Sequence, residues 1–213
     1  MTTVNNQDFF EIESQEQISS FIKTTKQEFF SHQVFFDEGI GSPAKYRDLV
    51  NLLYMADENA EFNFFINSGG GELSAMISII EAIKSSDARV RAIIVGECHS
   101  AASFIAFNCH EIVVSDSAHA LIHTASYGTS GNSCSVKNHV DFSSKMIHKL
   151  LIDTYSGFLT EDELMDVSKG VEMWFDAGDI RTRLLTRKAF LDTSKDKTTK
   201  TTKKTRPSRS KSK

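Results

Sequence analysis

Cysteine is scarce in this 213-residue chain: Cys98, Cys109 and Cys134 are all it has. An odd number without metal-ligand spacing excludes a disulfide framework and fits reduced thiols in a cytoplasmic protein. No apolar stretch approaches the ~20 residues of a membrane-spanning helix. The start, Met1 to Asp8, has no basic residues and no apolar core, so a secretory leader is not expected. The pattern G-x-x-x-x-G-K-[ST] is missing too, which excludes a phosphate-binding loop of that kind. No internal repeat is visible.

What is present is ordinary for a globular protein: 40% hydrophobic and 24% charged residues, in a length that suits one domain. The net charge of −4 hides an asymmetry. Residues 194–213 carry nine Lys or Arg and one Asp, a net of +8, so the other 193 residues carry −12. The basic stretch is nearly free of apolar residues and is expected to be a disordered tail over 191–213. Basic tails can bind nucleic acid or acidic partners, but the acidic body argues against nucleic acid as the main ligand.

Apolar periodicity predicts alternating strands and helices. Ile18, Phe21, Ile22, Phe29 and Phe30 predict an N-terminal helical segment, helix 15–31 within 1–32. The pairs Phe9-Phe10 and Phe29-Phe30 are expected in a core. Val34-Phe35-Phe36 reads as a strand, and 43–56 as a helix with Ser42 as cap before Pro43. Strand 62–66 follows, then helix 72–85, strand 89–95, helix 100–109, and strands 111–114 and 119–122. Residues 125–135 read as a flexible loop, 136–156 as a long helix, and Thr160-Glu161-Asp162-Glu163 as a capped helix start. This alternation implies βαβ units and a mostly parallel sheet.

Two turns concentrate the chemistry. Asn67-Ser68-Gly69-Gly70-Gly71 follows one strand, and Gly96-Glu97-Cys98-His99-Ser100 follows another and leads into Ala101-Ala102. A serine at a strand-to-helix turn exposes its hydroxyl, and the helix start favours negative charge there. His123, at the end of the apolar run Leu121-Ile122, is the base candidate. The amides of Gly71 and Ala101 are oxyanion candidates, with Gly70 allowing close backbone approach. Ser126, on the loop after His123, is a candidate for the substrate groove; a plain surface connection is the alternative. Each residue also has a plainer reading: Ser100 as a helix cap, His123 as a strand histidine, His99 and Cys98 as packing.

In order and spacing, Ile66 to Gly71, Gly96-x-x-x-Ser100, Ile122-His123 and Trp174-Phe175-Asp176-Ala177 resemble the proteolytic subunit of the Clp protease, a serine peptidase family. The likeness covers about residues 33–185, within an expected peptidase domain of 33–190. It implies an α/β Clp protease/crotonase-like fold, with repeated ββα-type units and a protruding handle helix at about 136–156. Val140, Phe142, Met146, Ile147, Leu150, Leu151 and Ile152 would supply the handle's contacts. It implies Ser100 as nucleophile, His123 as base, and oxyanion amides at Gly71 and Ala101. The nearest match to the family's third, aspartate member is Glu172; Asp176 is a rival, better suited to capping the next helix. The resemblance further implies a homo-oligomer of two stacked heptameric rings, protein substrates and an ATP-driven AAA+ unfoldase. ATP would then bind that partner and not this chain.

The chain departs from the family pattern in several places. Gly69 stands where proline is usual, Ala101-Ala102 where Met-Gly is usual, and His99 where a small residue is usual. Arg181 to Leu185 replaces a Tyr-Gly-Leu-Val-Asp-like block. Such divergence is compatible with a phage-encoded member acting as a head-maturation protease, with an inactive structural ring subunit, or with a crotonase-like acyl-CoA enzyme.

Overall fold

The computed structural model describes residues 29–204, with side chains to residue 193. Six strands form one sheet in the order β1-β2-β3-β5-β6, with β4 also paired to β3. They are β1 (Phe30–Phe36), β2 (Ala60–Ser68), β3 (Arg89–His99), β4 (Glu111–Val114), β5 (His119–Ile122) and β6 (Met173–Asp176). Every pairing is parallel except β5 with β6. The helices are α1 (Arg47–Met55), α2 (Leu73–Ser85), α3 (Ala101–Phe107), α4 (Ser133–Tyr155), α5 (Glu161–Ser168) and α6 (Ala177–Lys204). A 3₁₀ turn, Pro43–Tyr46, precedes α1. This is a mixed α/β architecture consistent with the Clp protease fold.

One sheet face and the helices share the core. Phe62, Phe64 and Ile66 of β2 alternate inward, as do Val90, Ala92 and Ile94 of β3; all are fully buried. Ala75, Met76, Ile79, Ile80 and Ile83 of α2 complete the same cluster. Burying each large aliphatic or aromatic side chain contributes about 1.5–3 kcal/mol. The opposite face is less covered. Phe35, Phe65, Ile93 and Val113 stand in register across four strands, and Phe35 is 61% exposed. No helix among the described residues is long and apolar enough to cross a membrane.

Several boundaries differ from the sequence expectation. The segment expected to be helical to residue 31 or 32 is already strand at Phe30, because ladder bonding to β2 outweighs the local 3.6-residue pattern. Phe29 and Phe30 are exposed rather than core; the rest of that helix, and Phe9-Phe10, lie outside the described residues. β3 runs to His99 instead of 95. Its register with β2 slips between Ile66 and Ser68, and Asn67 Oδ1 accepts from the Glu97 amide at 2.9 Å where the ladder breaks. Ser42 sits at its cap position but makes no side-chain capping bond. Helix α4 begins at Ser133, inside the expected loop, because Asn132 Oδ1 accepts from the Ser135 amide at 3.0 Å. Helix α6 continues to Lys204, into the stretch expected to be disordered. No glycine or proline lies between Gly178 and Pro207 to break the helix.

The Thr160 cap is present as a full capping box with Glu163. Glu163 is also bidentate with Arg183, at 2.7 and 2.9 Å, which ties α5 to α6. The guanidinium holds the Glu163 carboxyl down at about 2. A carboxylate whose pKa falls on folding stabilises the native state above its unfolded pKa, and loses that effect as pH drops toward the folded value. Glu163→Gln is therefore expected to lower stability by about 1–2 kcal/mol at pH 7, discounted for partial exposure. The gap should close as pH falls below about 4.5. Urea unfolding of both proteins from pH 7 to pH 3 checks this; a constant gap would contradict it.

Candidate active site

The parallel ladder between β3 and β5 brings the two central candidates to one end of the sheet. His99 pairs with Leu121, so Ser100 and His123 each lie just past the last rungs. The Ser100 amide donates to the Leu121 carbonyl at 2.9 Å, holding the turn to β5. Ser100 has φ 53° and ψ −123°, and is the one non-glycine residue of positive φ among the described residues. Such a conformation costs about 1–3 kcal/mol and persists only where surroundings enforce it. It is the sharp strand-to-helix elbow that lifts a hydroxyl clear of the sheet.

The glycine turn packs directly on this elbow. Gly70 has φ 92°, and a Cβ there would lie 2.7 Å from both the His99 carbonyl oxygen and Ser100 Cβ. Gly71 forms a parallel bridge with Ile40. The bridge uses the amides of Ile40 and Glu72, which donate to the carbonyls of Gly70 and Ile40 at 2.8 and 2.9 Å. The Gly71 amide takes no part in it. The Ala101 amide opens α3, where helix geometry supplies no acceptor. The Ala101 amide thus adjoins Ser100, and the Gly71 amide follows the glycine that packs on it.

Glu172 directly precedes β6, and the last rung of the β5–β6 ladder is Ile122 with Met173. The antiparallel register therefore carries Glu172 alongside His123. Glu172 is exposed, and among the described residues no hydrogen bond joins Ser100, His123 and Glu172. Catalytic hydrogen bonds are often long in a free enzyme and tighten on substrate binding. Asp176 has the other role expected of it: its Oδ1 accepts from the Asp179 amide at 2.8 Å, capping α6.

The remaining candidates separate clearly. Cys98 is fully buried and burial pushes its thiol pKa far up, which removes it as a nucleophile. His99 packs its ring edge-on to Trp174 at 5.1 Å and against His119 at 5.0 Å. Burial lowers its pKa; His119 and His123 push the same way, and Glu97 opposes them. The His99 Nε2 is enclosed with no hydrogen-bond partner among the described residues, which fits packing better than a second base. Ser126 is exposed. Its neighbours Thr124, Ala125 and Tyr127, with Ile147, His148 and Leu151 of α4, line a half-open cleft of about 250 Å³ beginning one residue after His123.

Of the residues expected to furnish the handle, Ile147 and Leu151 are buried in this chain's own core, and Met146 and Leu150 pack against it. Val140, Phe142 and Ile152 are exposed. Sequence reading missed Ile40, which pins Gly71, and Ser103 and Tyr155, which stand behind Ser100. None lies in a motif; only the folded contacts single them out.

A scan against protein-family models matches the family described as Clp protease over residues 16–179. A search of curated proteins finds no match. Since the matched span is most of the chain, the chain belongs to the Clp protease family, a family of peptidases.

Proposed function

We propose that this chain is a serine endopeptidase subunit, with Ser100 as nucleophile, His123 as general base and Glu172 as the carboxylate that orients it. The observation that carries the reading is the Ser100 elbow, held at positive φ beside the end of the strand that delivers His123. His123 takes the Ser100 proton as Oγ attacks a peptide carbonyl. The Gly71 and Ala101 amides stabilise the oxyanion. His123 then protonates the leaving amine, and water hydrolyses the acyl-enzyme with His123 again as base. The cavity after His123 would receive a substrate side chain, with Gly70 and Ser126 along the bound strand.

The assembly is part of the same proposal: a homo-oligomer of stacked rings, its sites facing an enclosed chamber fed by an ATP-driven unfoldase. The row Phe35, Phe65, Ile93 and Val113, and Phe142 at 69% exposure on α4, are surfaces that an assembling subunit would cover.

A fluorophosphonate probe tests the site. A single adduct is expected, mapped by mass spectrometry to Ser100. An assembled protein that takes no label would overturn this reading and favour an inactive structural ring subunit, for which an exposed Glu172 is the supporting observation.

A further inference from the structure

The Ser100 elbow is strained, so something must enforce it. Its amide is held by Leu121. Its carbonyl accepts from the Phe104 amide at 3.2 Å, in the first turn of α3, and from Ser103 Oγ at 2.7 Å. Ser103 Oγ in turn lies 2.6 Å from the phenol oxygen of Tyr155, the last residue of α4. A serine hydroxyl has one proton, and it points at backbone carbonyls, that of Ser100 at 2.7 Å and, farther off, that of Leu121 at 3.4 Å. The phenol is therefore the donor to Ser103. The result is a directed chain, Tyr155 O–H to Ser103 O–H to Ser100 C=O.

Both side chains are fully buried. The Tyr155 ring is held edge-on by Phe104 at 4.9 Å and Phe107 at 5.2 Å. Burial raises the phenol pKa well above its ordinary value, so it remains a donor across the working range. A satisfied network in a dry core is rigid, whereas a buried hydroxyl that loses its partner is costly.

The Ser100 carbonyl and the Ala101 amide belong to one planar peptide unit and point in opposite directions. Fixing the oxygen fixes the N–H. Resting on the reading of Ser100 as nucleophile and Ala101 as oxyanion donor, we propose that Ser103 and Tyr155 are positioning residues that aim the Ala101 amide. Through them the long helix α4 holds the oxyanion site from behind. Neither side chain touches substrate; both act through the 100–101 peptide.

Tyr155→Phe removes the phenol hydroxyl and keeps the ring. The limiting rate of Ser100 labelling by a fluorophosphonate is expected to fall about tenfold, less than the ~10²–10³ lost with a whole oxyanion donor. For a fluorogenic peptide kcat should fall with KM unchanged, and the midpoint of the pH–rate profile should stay in place. Ser103→Ala should lose at least as much. The double variant should be no worse than Ser103→Ala, because the phenol acts only through Ser103. Thr154→Val is the structural control. One residue back on α4, it removes the bond that buried Thr154 accepts from Asn108 Nδ2 at 3.1 Å, and should lower stability without lowering the limiting rate. An unchanged limiting rate in Tyr155→Phe, or an equal fall in Thr154→Val, overturns the clamp and leaves Ser100 as nucleophile. A wild type that takes no label at Ser100 overturns the nucleophile reading and the clamp with it.

Discussion

Ser100→Ala is expected to lower peptide hydrolysis by at least about 10⁴-fold, while the protein folds and assembles as the wild type does. The size follows from the proposed mechanism, in which loss of Oγ leaves no acyl-enzyme and only the oxyanion amides and substrate binding. That stability survives follows from the contacts. The three hydrogen bonds that pin residue 100 use its backbone, the amide to Leu121 and the carbonyl from Phe104 and Ser103. Alanine keeps all three, and it keeps a Cβ at φ 53°, so the strain is unchanged. Ser100→Gly would relieve that strain and should stabilise the protein by about 1 kcal/mol while being equally inactive. Initial rates on a fluorogenic peptide, with light scattering for the assembly, decide the matter. Cleavage by Ser100→Ala above about one part in a hundred would mean that another group is the nucleophile.

The parts of this fold that were legible in the sequence are those written in local pattern. β4 and β5 were readable as 111–114 and 119–122 because short apolar runs there are bounded by polar turns. The α5 capping box is written in four consecutive residues. The four ordered blocks were enough to point to the family that the comparison shows. What escaped depends on contacts distant in sequence. Phe30 continues a helical period, yet the pairing of Phe30, Ser31 and His32 with Ala60, Glu61 and Phe62 makes a strand. The slip between β2 and β3 depends on Asn67 reaching the Glu97 amide, 30 residues away. Residues of α4 were readable as apolar, but not that four of them pack inside the chain and others stay exposed. Around the candidate site, a serine between strand and helix was visible, but its positive φ was not. Ser103 and Tyr155 are 52 residues apart, and no periodicity links them.

Gly70→Ala is expected to be nearly as damaging to activity as loss of the nucleophile, for a different reason. At φ 92° a side chain costs about 1–2 kcal/mol before any contact is considered. The new Cβ would stand 2.7 Å from the His99 carbonyl oxygen, 2.7 Å from Ser100 Cβ and 3.0 Å from the Ala101 amide nitrogen. None of these atoms is the far end of a flexible side chain. Two are backbone and the third is the root of the candidate nucleophile, so relief requires the two turns to part. The Gly70 amide also donates to buried Ser68 Oγ at 3.2 Å, and its carbonyl accepts from Ile40, which resists movement of the glycine side. The displacement therefore falls on the elbow, between the Gly71 and Ala101 amides. A shift of about 1 Å at a catalytic centre costs on the order of 10²-fold, and here the nucleophile and an oxyanion donor move together, so a loss of about 10³-fold in kcat is expected. Stability should fall by about 2–4 kcal/mol, from strain added to overpacking. Gly128→Ala is the matched control, since a Cβ there meets nothing within 4 Å; it should leave rate and unfolding midpoint unchanged. If Gly70→Ala kept more than about a tenth of the wild-type rate with an unshifted midpoint, the close apposition of the two turns would be wrong, and with it the assignment of the oxyanion site to Gly71 and Ala101.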